Sequence, residues 1–304
     1  MPQNSKFEIR NLIKSMRLRT LPLSLAGVVC GGLLAINKPG GSDLVFALVM
    51  LTACLLQILS NLSNEMGDHL SGVDGEDREG PNYSMAEGGL TVKQMWRAIN
   101  WTVIACCISG LLMLLFSFQF SIFNFQFLIL LLLGAAAIWA ATHYTLGKSP
   151  YGYRGLGDIS VFIFFGIVSV TGSYFVIAHR IDLDLWLILP TAGVGLLSVA
   201  VLNVNNIRDM ESDRGKRVTV PLKIGARRAR WYQTALIIVG GLCFIIPFGP
   251  FIFVFWFLYI LPIAGLVLHL MLLWQQDGRK LDPALPVLVM STFLLALIYG
   301  LVFH

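Results

Sequence analysis

Nine apolar runs, each about 16 to 23 residues long, fill most of this chain. They lie near 21 to 36, 44 to 63, 97 to 117, 122 to 143, 157 to 178, 184 to 204, 231 to 248, 251 to 273 and 284 to 303. A helix rises ~1.5 Å per residue, so runs of this length cross about 30 Å of hydrocarbon with modest tilt. In lipid the backbone must satisfy its own hydrogen bonds, and that requirement makes each run a helix. With 56% apolar and 13% charged residues and a mean hydropathy of +0.75, the chain reads as an all-α polytopic membrane protein, and a soluble globule is excluded. The boundary between the seventh and eighth runs falls at Phe248-Gly249-Pro250.

Charge orients the helices. If the N-terminus is cytoplasmic, only Lys38 and Arg180 of the 22 Lys and Arg residues lie on the outer side. This positive-inside bias predicts a multi-pass protein of the cytoplasmic (inner) membrane with its C-terminus outside. The net charge of +5 follows from that bias and from anionic lipid surfaces, so no nucleic-acid partner is implied. The basic, weakly amphipathic segment at about 6 to 18 reads as an interfacial helix. No small-residue cleavage site closes the first apolar run, so no cleaved signal peptide is expected. Five cysteines all sit inside apolar runs, where they pack rather than bind metal.

Outer connections are short and inner ones long. The two longest inner segments, about 64 to 95 and 205 to 230, read as cap loops, because long loops in compact proteins usually carry function. Each begins with the same pattern at the end of an apolar run. Asn64 and Asp68 are followed by Asp74, and Asn205 and Asp209 by Asp213. On a continuing helix, residues four apart share a face, so each set presents a stripe of oxygens, with Asp74 returned by a turn near Gly72. Acids at the rim of a membrane bundle carry a desolvation penalty and are usually functional. Oxygen donors without nearby His or Cys suit Mg2+, which takes a few carboxylates and completes its shell with substrate phosphates. The plainer alternative is that these acids solvate helix ends and pair with Arg208 and Arg214; two matching copies argue for a shared site.

Nearby cations extend this reading. Arg78, Lys148, Arg208, Arg214, Lys216 and Arg217 are candidates to meet diphosphate oxygens. Lys148 lies in a short polar segment with Tyr144 and Tyr153, and Asp158 follows at the mouth of the fifth run, as either a helix cap or a substrate ligand. Arg17, Arg19 and Thr20, just before Leu21-Pro22, form a polar cluster that is a candidate for lipid phosphate or an organic carboxylate. The two motifs end the second and sixth runs, a spacing that hints at an internal four-helix repeat.

At these residues the chain resembles the UbiA superfamily of intramembrane prenyltransferases. The likeness covers Arg19-Thr20-Leu21-Pro22, Ser60 through Asp74, Glu87-Gly88-Gly89, Tyr151 through Asp158 and Asn205 through Lys216. The block Ser149 to Asp158 is most similar to members that prenylate 1,4-dihydroxy-2-naphthoate. Glu65 departs from the pattern, since the family often has Asp after the first Asn. The resemblance implies one domain over 1 to 304: nine helices around a central cavity that opens to lipid, with cytoplasmic caps. It implies Mg2+ and an allylic polyprenyl diphosphate held by Asn64, Asp68, Asp74, Asn205, Asp209 and Asp213, the four aspartates being catalytic. It also implies transfer to the aromatic acid with loss of carbon dioxide and diphosphate, giving demethylmenaquinone. No obligate protein partner is inferred. The isoprenoid tail is expected along Phe162, Phe164, Phe165 and Tyr174. Two alternatives remain: a 4-hydroxybenzoate prenyltransferase that keeps the carboxylate, and a divalent-cation transporter. A transporter should carry polar groups along its spans, where this chain has little besides His269.

Overall fold

The computed structural model describes residues 2–72, 84–85, 87–119, 121–122, 125–247 and 252–304. Asp74, Arg78 and the Phe248-Gly249-Pro250 boundary lie outside these residues. Every named element in the described residues is helical. The helix α1 (Pro2–Ser15) leads through a short 3-10 turn (Leu18–Thr20) into α2 (Leu21–Ile36), followed by α3 (Asp43–Ser71), α4 (Val92–Ser117) and α5 (Phe125–His143). The fifth crossing, 157–178, is composite: α6 (Gly157–Val161), a π-helical stretch (Phe162–Gly172) and α7 (Ser173–Ala178). Then come α8 (Leu185–Arg208), α9 (Met210–Asp213), α10 (Val220–Ile224), α11 (Ala226–Ile245), α12 (Ile252–Gln275) and α13 (Ala284–Phe303).

Among the described residues, eight helical crossings are long and apolar enough to span a membrane. The expected seventh run corresponds to α11, which begins with Arg227, Arg228 and Arg230 and is not one of the eight. Nine is therefore an approximate count. Many large apolar side chains stay exposed, Trp101 at 66% and Leu132 at 62% among them. Such a surface suits lipid as solvent, and the chain is an integral membrane protein.

Local chemistry sets the helix starts. Ser42 and Asp184 cap α3 and α8 by accepting from Val45 N and Leu187 N, and Thr91 with Gln94 forms a capping box on α4. The motif-bearing helices outrun their hydrocarbon. The apolar pattern ends α3 near 63, yet the helix continues to Ser71, where Gly72 in the left-handed region (φ 69°) closes it. α8 likewise runs past 204 to Arg208. Residues 64–71 and 205–208 thus extend the spans and are not cap loop.

Much of the bundle is joined at backbone distance. A Cβ at Gly31 would lie 2.1 Å from the Val170 carbonyl oxygen, and one at Gly166 would lie 2.9 Å from Gly195 Cα. Glycine is required there because two helices touch with no side chain between them. The α8–α11 seam is similar, since a Cβ at Gly193 would lie 3.0 Å from the Gly240 carbonyl oxygen. Beside that seam runs a fully buried polar chain. Asn203 donates to Gln233 Oε1 (2.8 Å), and Gln233 Nε2 meets His269 Nε2 (3.0 Å), whose Nδ1 meets the Ala284 carbonyl (2.8 Å). These groups bond to one another inside the helix packing, with Asn203 Oδ1 left buried and unpaired. Tyr174, expected along the tail, is buried and donates to Asp182 instead.

The N-terminal helix shows both sides of the interfacial expectation. Ile9 and Ile13 are exposed, while Asn11 and Ser15 are buried against the rest of the chain. Asn11 donates to the Gly89 carbonyl at 3.0 Å and accepts from Ser84 at 2.7 Å. Ser15 donates to Glu65 at 3.1 Å.

Candidate active site

A cavity of about 110 Å³ opens where the ends of α3 and α8 meet, lined by Asn64 and Asp68 from one and Asn205, Asn206 and Asp209 from the other. Two further segments complete it: Tyr144 to Asp158, contributing Tyr144, Thr145, Tyr153 and Asp158, and the stretch after α9, contributing Arg217 to Val220. Arg17 lines it from the turn after α1. The two Asn-x-x-x-Asp sets therefore do share one space.

Close packing positions the first set. A Cβ on Gly67 would sit 2.6 Å from Thr145, so only glycine lets the 144–146 segment lie against α3. Thr145 Oγ1 donates to the Ser63 carbonyl (3.0 Å) and to Asn64 Oδ1 (3.2 Å), which fixes the amide with its oxygen toward Thr145. Asp68 is buried and accepts a 2.6 Å bond from the Tyr153 hydroxyl. Burial and then the Asp68 charge push the Tyr153 pKa up, so this phenol stays protonated and donates. Val218 N donates to the Tyr153 carbonyl at 2.9 Å, tying the segment after the second motif to the tyrosine carrying the first.

The second set is nearly, but not quite, one helix. Asp209 caps α8 and Asp213 ends α9, and the backbone bonds Asp209 N to Asn205 O (3.1 Å) and Asp213 N to Asp209 O (2.9 Å) preserve the four-residue register across the break. Arg208 grips Asp209 through two bonds of 2.8 and 2.7 Å. Arg217 holds Asp213 at 2.6 Å. Burial, the largest influence, raises the Asp213 pKa against the opposing pull of Arg217. Arg217 itself is raised: burial disfavours its charge, but Asp68, Asp213 and Asp209 together outweigh that. Of the pairings the plainer alternative named, Arg208 does pair with Asp209, whereas Arg214 pairs at 3.2 Å with Glu211, which is not one of the motif acids.

The donor set fits a hard divalent cation. All the side-chain oxygens gathered from the two motifs are amide or carboxylate, and Asp213 Oδ2 is buried without a hydrogen-bond partner. Among the described residues no three His, Cys, Asp or Glu converge into a ready cage.

Several expected residues fall elsewhere. Lys148, Arg19 and Lys216 are exposed and do not line the cavity. After α9 ends at Asp213, the non-helical chain brings Arg217 back onto Asp213 at 2.6 Å and leaves Lys216 at the surface. Of the cluster Arg17, Arg19 and Thr20, only Arg17 lines the cavity, and its backbone is left-handed (φ 48°, ψ 50°), a conformation no sequence pattern announced. Glu65 points away from the cavity, fully buried and bonded by Ser15 and Met85 N (2.9 Å). Asp158 does line the cavity and accepts from Tyr232 at 3.0 Å, so it is not merely a helix cap.

A helical membrane bundle that gathers amide, carboxylate and guanidinium groups into one cavity at its span ends has the make-up of a membrane-embedded enzyme for an anionic substrate. The chain belongs to the UbiA prenyltransferase family, whose pattern matches residues 24–299. It is 37% identical to the 1,4-dihydroxy-2-naphthoate octaprenyltransferase of Haemophilus influenzae over 95% of this chain and 94% of that one. It is 43% identical to the protein of the same name from Escherichia coli over 76% and 74% of the two chains. A UbiA homolog from Aeropyrum pernix superposes with a TM-score of 0.68 at 16% identity, covering 94% of this chain and 98% of that one. One from Archaeoglobus fulgidus bound to GPP and Mg2+ gives 0.65 at 16% identity, covering 96% and 99%. The two solved structures bear on fold, and the family assignment sets aside the transporter.

Proposed function

We propose that this chain transfers a polyprenyl group from an allylic polyprenyl diphosphate to 1,4-dihydroxy-2-naphthoate, the prenylation step of menaquinone biosynthesis. The observation that carries the reading is the meeting of Asn64, Asp68, Asn205 and Asp209 in one cavity, in a chain whose relatives over most of their length are naphthoate octaprenyltransferases. Mg2+ is the assigned metal, in line with the Archaeoglobus homolog. Asn64, Asp68, Asn205, Asp209 and Asp213 would hold it, with Asp74 joining them, and when bound it neutralises the diphosphate so that the allylic C–O bond breaks readily.

The chain's own groups do the rest. Thr145 and Tyr153 hold Asn64 and Asp68 in place. Arg17 and Arg217, both at the cavity wall, meet phosphate oxygens; Arg78 is assigned the same task. Asp158, oriented by Tyr232, accepts a hydrogen bond from a naphthol hydroxyl and raises the electron density of the ring. The ring carbon bearing the carboxylate bonds to the allylic carbon, and carbon dioxide leaves with its bonding pair returned to the ring. Residues 1 to 304 act as one catalytic unit in the inner membrane, N-terminus cytoplasmic and C-terminus outside.

The test uses the purified chain, Mg2+, a polyprenyl diphosphate and naphthoate labelled in its carboxyl group. Release of labelled carbon dioxide with a prenylated naphthalene product is expected. A prenylated 4-hydroxybenzoate that keeps its carboxylate, with no naphthoate product, would overturn the acceptor assignment.

A further inference from the structure

Both aspartates of the second motif already have a cation from this chain. Arg208, 4% exposed, engages both carboxylate oxygens of Asp209 and turns its remaining nitrogen to Asp282 Oδ1 at 2.8 Å. Arg217 does the same for one oxygen of Asp213. Asp68 differs, because it receives the neutral Tyr153 phenol. A bidentate guanidinium occupies the in-plane faces of a carboxylate that a metal would use. Arg208 does not line the cavity and so is not placed to touch a substrate. Arg217 does line it.

We infer that Arg208 and Arg217 are stand-in cations that make divalent-metal capture conditional on diphosphate. A bare metal ion arriving alone meets a second motif that is already neutralised, and like charges in a poorly solvated site repel. An arriving diphosphate changes the balance. Its oxygens draw Arg217 off Asp213, and the added negative charge favours the metal over the guanidinium at Asp209. Arg208 then has Asp282 to receive it. That acid is 45% exposed in its side chain and sits just before α13, outside the cavity. The second motif is in this way held neutral in the absence of substrate and opened by substrate.

The inference rests on the metal and diphosphate reading of the cavity, and its test separates the two. Detergent-purified full chain is dialysed to equilibrium against Mn2+ alone and against Mn2+ with inorganic diphosphate, and protein-bound manganese is measured. Wild type is expected to retain Mn2+ roughly tenfold more tightly when diphosphate is present. Arg208→Gln should tighten Mn2+ alone by roughly tenfold, because it leaves a buried carboxylate in need of a cation. Asp282→Asn should do the opposite, weakening Mn2+ alone by about threefold by leaving Arg208 only Asp209 to hold. A folded Arg208→Gln that binds Mn2+ alone no better than wild type overturns the inference. If Arg208→Gln does not fold, Asp282→Asn decides, since unchanged or tighter binding there defeats the idea. Should no form retain Mn2+ even with diphosphate, the reading of the cavity itself fails and the inference with it.

Discussion

Asp68 and Asp209 line one cavity from the ends of two helices. Asp68→Ala and Asp209→Ala are each expected to abolish prenyl transfer while leaving a folded, membrane-inserted protein, checked by product assay beside size-exclusion in detergent. Normal turnover at saturating Mg2+ in either variant would remove the two-motif site. Tyr153→Phe loses a hydrogen bond to a charged group, a contact worth about 1.5 to 3 kcal/mol. A fall in kcat/KM of about tenfold or more is expected, measured over a Mg2+ titration. At this scale the sequence was informative wherever four-residue spacing governs direction, as at Asn64 and Asp68. It failed where a contact is non-local. Nothing near Thr145 in the chain announces that it meets Asn64, and the choice of Arg17 from its polar cluster to line the cavity comes from a left-handed turn between two helices.

The helix α3 serves two faces in its last turns. Asn64 and Asp68 look into the cavity, while Glu65, one residue on and about 100° around the helix, is sealed against α1 and the segment at 84–85. That explains the departure from Asp at this position, because the longer side chain reaches both Ser15 and Met85 N. Glu65→Ala strands these buried donors and should loosen α1 and the 84–90 segment, seen as faster hydrogen exchange there. Glu65→Gln keeps an acceptor oxygen and should leave exchange near wild type, whereas equal loosening in both would mean that the carboxylate itself, not its hydrogen-bond reach, holds the contact. Gly67→Ala drives a methyl into Thr145 and is expected to destabilise the fold by about 1 to 3 kcal/mol, read as a lower midpoint in thermal unfolding. Helix starts were legible from apolar pattern and caps; α2 begins and ends where the hydropathy does. Helix ends were not, since the polar turns of α3 and α8 keep helical backbone until Gly72 and Asp209 stop them.

For the whole molecule, charge distribution makes the testable statement. In intact cells a cysteine placed at Lys38 or Arg180 should react with an impermeant maleimide from outside, and one at Lys216 only after the membrane is opened. Reversed labelling would invert the orientation inferred from the positive-inside bias. The glycine seams bear on a different matter, the traffic of a long lipid. Where Gly31 meets the Val170 carbonyl, and Gly166 meets Gly195, the walls are closed at a distance that leaves no width for a methylene chain. A polyprenyl tail threading toward the cavity must therefore slip between other helices, and an added side chain at Gly31 or Gly166 would break the wall rather than block a road.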